Sequence, residues 1–151
     1  MARIKINLPE QFSFTAQIPV RITDLNYGGH VGNDSILSII HEARMQFLAS
    51  LGYTELKFAG TSLIMADVGI EFKNELFYND TVTVSVTIAD VSKVGFDIYY
   101  KLEKSESDKK ILIAIAKTGM VCYDYVNKKI VNIPEEATLV IVNKQQANNS
   151  I

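Results

Sequence analysis

Tryptophan is absent from the 151 residues, cysteine occurs once and proline three times. The lone Cys122 excludes an internal disulfide and suits a reducing compartment, so a cytoplasmic location is expected. Long apolar runs are missing too. The longest, ILIAIA from Ile111 to Ala116, falls far short of the roughly 20 residues that span a bilayer. The opening MARIKINLPEQF carries basic residues with no apolar stretch behind them, which argues against a secretory signal. Neither sign of charge dominates: 15 Lys and Arg against 17 Asp and Glu leave a net charge of −2. No basic cluster is dense enough to track nucleic-acid phosphates or an anionic membrane, so neither partner is expected. With no repeat and no low-complexity segment, the chain reads as a single domain over 1–151. Its core spans about 13–137, and a polar tail at 143–151 is expected to fray.

What is present is periodicity. Ile36, Ile40, Ala43, Phe47 and Leu51 recur at helical spacing, and Leu37, Ile39 and Leu48 widen the stripe. This predicts a helix from Asp34 to Leu51, apolar around much of its girth and packed deep in the protein. Asn33, Asp34 and Ser35 are competent N-caps, and Gly52 is a natural stop. Eighteen residues give about 27 Å of helix. The rest alternates. TVTVSVTIA (81–89) and GFDIYYKLE (95–103) each place apolar side chains on one face, and ILIAIAKTGMVCYDY (111–125) is apolar on both. FTAQIPVRI precedes the helix and SLIMADVGIEFKN follows it as further strands. Turn chemistry at 78–80, 92–95, 105–110 and 126–129 joins them, and such short turns imply antiparallel neighbours. The expectation is an α+β domain with one long central helix wrapped by a curved antiparallel sheet of about five strands.

Between the first strand and the helix lies DLNYGGHVGND, Asp24 to Asp34. That loop, followed by Glu42, Ala43 and Arg44 in the helix, resembles the hotdog-fold acyl-CoA thioesterases, specifically the 4-hydroxybenzoyl-CoA thioesterase-like branch. Many members of that branch carry D-x-D-x-x-G-H-V-x-N and then E-A-R. Here the match runs Asp24, Asn26, Gly29, His30, Val31, Asn33, with Asn79 in a later glycine position, where asparagine also tolerates a left-handed turn. The second aspartate of the family pattern often serves as the catalytic carboxylate, and this chain has Asn26 there. A neutral amide is no base, but other hotdog thioesterases use a D-x-N-x-x-G loop with the carboxylate supplied from elsewhere, often from a facing protomer. Ile36 replaces a tyrosine frequent in relatives and is read as a change in pocket shape.

The resemblance implies hydrolysis of an acyl-CoA or acyl-carrier-protein thioester through an activated water, without cofactor or metal. It also implies a homodimer or homotetramer with shared active sites. Backbone N–H groups around Gly29 to Gly32, with Gly28 and the helix dipole, are expected to hold the oxyanion. Glu42, on a polar seam with Ser35, Ser38 and Gln46, is the preferred base, its pKa raised by a buried helix; a salt bridge, for instance to Arg44 or to a lysine on the sheet, is the structural alternative. Asp34 competes as base, with an N-cap role as its alternative. His30 is read as a hydrogen-bond donor to the thioester or an orienter of water. Asn26 either holds water or carbonyl or merely forms an Asx-turn, and Asp24 closes the loop. Ile36, Leu37, Ile40 and Met45 suggest an apolar tunnel, and the 92–95 and 105–110 turns offer lysines for CoA phosphates. His30 and Asp34 have no second histidine or cysteine to complete a metal site. Two other functions stay open: a non-catalytic acyl-thioester-binding protein, and a hotdog 3-hydroxyacyl dehydratase or hydratase. The second needs a proline-rich loop, and no proline lies between Val20 and Ile133.

Overall fold

The computed structural model describes residues 2–149. Strand β1 (Phe14–Pro19) leads through a short 3-10 turn (Ile22–Asp24) and the glycine-rich loop into α1 (Asn33–Ser50). Four long strands follow, β2 (Ser62–Phe72), β3 (Thr81–Ala89), β4 (Gly95–Glu106) and β5 (Lys109–Asp124), then the short β6 (Lys129–Ile130) and α2 (Glu135–Asn149). All pairings are antiparallel, in the order β1-β3-β4-β5-β2 with β6 beside β5. No helix among the described residues is long and apolar enough to cross a membrane.

Alternation becomes a layered inner face. Val86, Tyr100 and Ala116 are cross-strand partners, as are Val84, Leu102 and Ala114, and all six are buried. Large side chains on β4 thus face small ones on β5, which lets the layer fill without voids. Ile113 to Ala116 are buried on both faces of β5, and a register slip between Leu102 and Glu103 lets the consecutive Ile113 and Ala114 both reach the core. Cys122 lies on this inner face with no exposure, and burial raises its thiol pKa. Asn79 takes a φ of +75° in the β2–β3 connection, the left-handed geometry expected of it.

Helix α1 seats Ile36, Ile39, Ile40, Ala43, Phe47 and Leu48 in the same core. It stops as Gly52 dictates: φ is +86°, Gly52 N–H bonds the Ala49 carbonyl at 3.0 Å and Tyr53 N–H bonds that of Leu48 at 2.9 Å. This is a Schellman cap. Its start differs from expectation. The N-cap is Gly32, with no side-chain cap, and Asn33 and Asp34 already lie in the first turn. Nor is the helix buried all round, since Ser38, His41 and Glu42 face solvent.

Beneath α1 the buried Arg44 guanidinium donates to Glu55 Oε1 at 2.8 Å and to the Tyr100 hydroxyl at 3.4 Å, and Tyr100 meets Thr118 at 2.8 Å. Burial opposes the charge on Arg44, yet Tyr100 and Glu55 outweigh it and raise its pKa. A second helix, not expected from the sequence, corrects the single-helix reading. Within α2, Ala137 and Ile141 enter the core, Tyr53 donates to Glu136 at 3.0 Å, and Gln145 donates to the Ile88 carbonyl at 3.2 Å. The tail expected to fray is therefore helical as far as Asn149, and positions 150 and 151 lie outside the described residues.

Candidate active site

The loop folds on itself as a small hairpin. Leu25 and Val31 bridge as an antiparallel pair, Asn26 N–H bonds the His30 carbonyl at 2.8 Å, and Gly29 N–H bonds the Asn26 carbonyl at 3.1 Å. The Asn26 side chain accepts the Gly28 N–H at 2.8 Å, an Asx-turn. Gly29 has a φ of +82°, which glycine adopts without strain. At Gly28 the requirement is space instead: a Cβ there would sit 3.2 Å from Asn26 Oδ1 and 3.3 Å from His30 Nε2. Asp24 anchors the base of the loop. Its carboxylate, 3% exposed, accepts Arg21 N–H at 2.8 Å and Arg21 Nη2 at 3.0 Å, and its carbonyl accepts Gly32 N–H at 3.1 Å. The same carboxylate, hydrogen-bonded to the Arg21 guanidinium, raises the pKa of that guanidinium.

These bonds occupy most of the N–H groups expected to face an oxyanion. Of those at 29–32, Gly29 serves Asn26, Val31 serves the Leu76 carbonyl at 2.9 Å, and Gly32 serves Asp24, while the His30 N–H meets no acceptor among the described residues. Further unspent donors lie one step along the chain. The first helical bond is Ile36 N–H to the Gly32 carbonyl, at 3.1 Å, and Gly32 has no side chain to cap the helix. The N–H groups of Asn33, Asp34 and Ser35 are therefore left over, at the positive end of the helix dipole. At Gly32 a Cβ would meet Asp34 Oδ1 at 2.6 Å, so the exposed Asp34 carboxylate lies back over it and would have to swing away from any larger residue.

Two clefts flank this structure. The front cleft, about 240 Å³, is lined by His30, Val31, Asn33 and Ile36 from the loop and helix, and by Phe72 to Leu76 from the end of β2. The rear cleft, about 380 Å³, is lined by Ile18, Pro19, Arg21, Asp24, Ser38, Ile39, His41, Glu42 and Met45. The residues singled out in the sequence divide between them. His30, Val31, Asn33 and Ile36 share the front cleft, Asp24 and Glu42 share the rear one, and Asn26, Gly28 and Gly29 form the exposed hairpin. The supposed tunnel is not one surface. Ile36 faces the front cleft, Met45 the rear, and Ile40 is fully buried.

Glu42 is exposed, not buried, and accepts Gln46 Nε2 at 3.0 Å. Its proposed partner Arg44 is instead paired with Glu55, which also lies 3.3 Å from His41 Nε2. In the front cleft His30 Nδ1 lies 3.3 Å from the Val31 carbonyl and Nε2 lies 3.7 Å from Glu75 Oε1. Neither Glu55 nor Glu75 carries a sequence signal that marks it.

Comparison with known proteins gives a consistent set of likenesses. A model of the thioesterase-like superfamily matches residues 20–141. A curated protein of Aquifex aeolicus (strain VF5), provisionally named an esterase, is 28% identical over 124 residues, covering 81% of this chain and 92% of its own. The solved 1,4-dihydroxy-2-naphthoyl-CoA thioesterase of Synechocystis superposes with a TM-score of 0.76 at 25% identity, over 86% of this chain and 96% of its own. A mutant 4-hydroxybenzoyl-CoA thioesterase, solved with 4-hydroxybenzoyl-CoA bound, gives 0.78 at 14% identity, over 85% and 97%. At that identity the likeness is one of fold.

Proposed function

The chain belongs to the thioesterase-like superfamily, and from that premise we propose that it hydrolyses acyl thioesters of coenzyme A, or of acyl carrier protein, to a free acid and a thiol. The observation that carries the reading is the uncapped start of α1 on the wall of a cleft that is part apolar, part polar, beside a histidine. The acyl group lies against Val31, Ile36, Phe72 and Leu76, with its carbonyl oxygen at the uncapped start of α1, where Asn33 lines the cleft and the N–H groups of Asp34 and Ser35 follow in the same turn. Those donors are fixed before substrate arrives, so they stabilise the oxyanion without reorganising. One such donor is typically worth about 2.7–4 kcal/mol in the barrier. Asn26 takes the part of a loop former, its carbonyl oxygen holding the Asx-turn that aims His30. Asp24, through Arg21 and Gly32, holds the hairpin to the helix.

For the carrier, the 105–110 turn is the better placed of the two lysine turns. It ends the β4–β5 hairpin, at the same end of the sheet as Phe72, which pairs with Ala114. The 92–95 turn lies at the opposite end, beside Val121. Because the Synechocystis look-alike is named for an aromatic acyl-CoA, aromatic acyl groups are the first to assay.

The reading extends to a homodimer. β2 is an edge strand with Met65, Val68 and Phe72 exposed. An exposed, apolar edge of this kind invites another strand. A second copy laid antiparallel along it would cover these side chains and wall the front cleft at Phe72, so that each site is shared.

The test is release of free thiol from a panel of aromatic, short-chain and long-chain acyl-CoAs by the purified chain. Turnover of at least one class is expected. Binding of acyl-CoA across the panel with no thiol released would instead support an acyl-binding protein.

A further inference from the structure

Resting on that thioesterase reading, we infer that the proton acceptor of the front cleft is His30 held by Glu75, and not a carboxylate of the loop or of α1. The competing groups are occupied or misplaced: Asn26 is neutral and caps its own turn, Asp34 lies back over Gly32, and Glu42 opens on the other cleft. His30 has the right tautomer for the task. A carbonyl can only accept, so the 3.3 Å contact with the Val31 oxygen puts the ring proton on Nδ1 and leaves Nε2 as the basic nitrogen. That nitrogen faces Glu75 Oε1 at 3.7 Å. Two acceptors at this separation repel unless hydrogens lie between them, and one water donating a hydrogen to each satisfies both.

The backbone brings the two residues together. Val31 N–H bonds the Leu76 carbonyl at 2.9 Å, which sets residue 30 beside residue 75. Leu76 is fully buried, and on the other side Lys73 and Asn74 N–H both bond the Ile113 carbonyl while the Asn74 amide bonds that of Leu112 at 2.6 Å. The segment carrying Glu75 is thus tied down at both ends. Lys73, the cation of this cleft, is paired with Glu71 at 3.3 Å, and Gly28 keeps the space at His30 Nε2 open.

In the reaction, His30 Nε2 takes one proton from the bridging water as its oxygen adds to the thioester carbon. The carbonyl π pair moves onto oxygen and is held by the α1 N–H groups. Glu75 holds the second water hydrogen and stabilises the imidazolium. When the tetrahedral centre collapses, the C–S bond breaks and the imidazolium proton passes to sulfur. Thioester and water become acid and thiol, and His30 returns neutral.

The test uses the full chain and whichever acyl-CoA it hydrolyses best. His30→Ala should lower kcat at least about 100-fold with KM little changed, and added imidazole should restore part of the rate. Glu75→Gln should lower kcat about 10-fold, less than the roughly 100-fold or more expected of the base itself, and should have no further effect in the His30→Ala background. Glu75→Asp should recover part of the loss. Circular dichroism of each variant separates these effects from misfolding, with His30→Gln as a second, bulkier replacement. Multiplying effects in the double variant overturn the coupling of Glu75 to His30. Near wild-type turnover by His30→Ala, with collapse in Asp34→Asn or Glu42→Gln, overturns the assignment and leaves the thioesterase reading standing. A wild-type protein that releases no thiol from any acyl-CoA overturns both.

Discussion

In the rear cleft, Asp24 accepts hydrogen bonds from the Arg21 main chain and guanidinium, and Glu42 accepts one from Gln46. In the front cleft, the N–H groups that open α1 have no cap, and His30 Nε2 has no direct partner nearer than Glu75 at 3.7 Å. The rear cleft is larger and richer in charge, yet its polar groups are engaged: Arg21 and Asp24 with each other, Glu42 with Gln46 and His41 with Glu55. Volume and charge therefore mark a cavity, whereas unspent hydrogen-bonding capacity is what favours the front cleft in the proposed reaction.

Four substitutions would break or sharpen this contrast. The largest effect is expected from Asn33→Pro. Proline is tolerated at the first helical position and the extended Gly32 (φ −71°, ψ 157°) suits a following proline. The substitution removes one donor from the front cleft, and kcat should fall about 100-fold. Thiol-release kinetics would show it, and a rate within threefold of wild type would deny these N–H groups their role. Asp24→Ala comes next, in stability. Losing a buried carboxylate bonded to a guanidinium should lower the unfolding free energy by about 1–3 kcal/mol, read from urea melts. Gly29→Ala meets no neighbour within 4 Å but must hold a φ of +82°, so about 1 kcal/mol of backbone strain is expected in the same melts. The smallest effect belongs to Glu42→Gln. An exposed helix pair of this kind is worth about 0.5 kcal/mol or less, and turnover should change by less than about twofold, the scale of such a surface change. A large loss of kcat would move the chemistry to the rear cleft.

Legibility in the sequence followed the range of the interactions. β3 and β4 were plain because their inner residues alternate without interruption, and α1 ended where Gly52 said it would. α2 was hidden because its apolar residues bunch as LVIV at 139–142, with Leu139 and Val142 exposed, so that Ala137 and Ile141, the buried side chains among its described residues, make no stripe. Pro134 and the acidic first turn, Glu135 and Glu136, were the cues available. The glycine-rich loop was legible as a motif, but which of its N–H groups stay free depends on Val31 meeting Leu76 and Gly32 meeting Asp24. Glu42 looked buried because the stripe around it is wide; its own side points outward. Glu75 was beyond reach because only a tertiary backbone bond brings it to His30, and Arg44 took Glu55 as its partner from a loop that no periodicity describes.

Burying the one thiol inside the sheet has a practical corollary. Cys122 is shielded and its ionisation is suppressed, so a thiol-sensitive dye reads it only in molecules whose β5 has peeled away. In a single cuvette the dye then keeps two clocks. The fast signal would count thiol released by the proposed hydrolysis, and the slow one protein molecules opening, so each variant carries its own internal control for integrity.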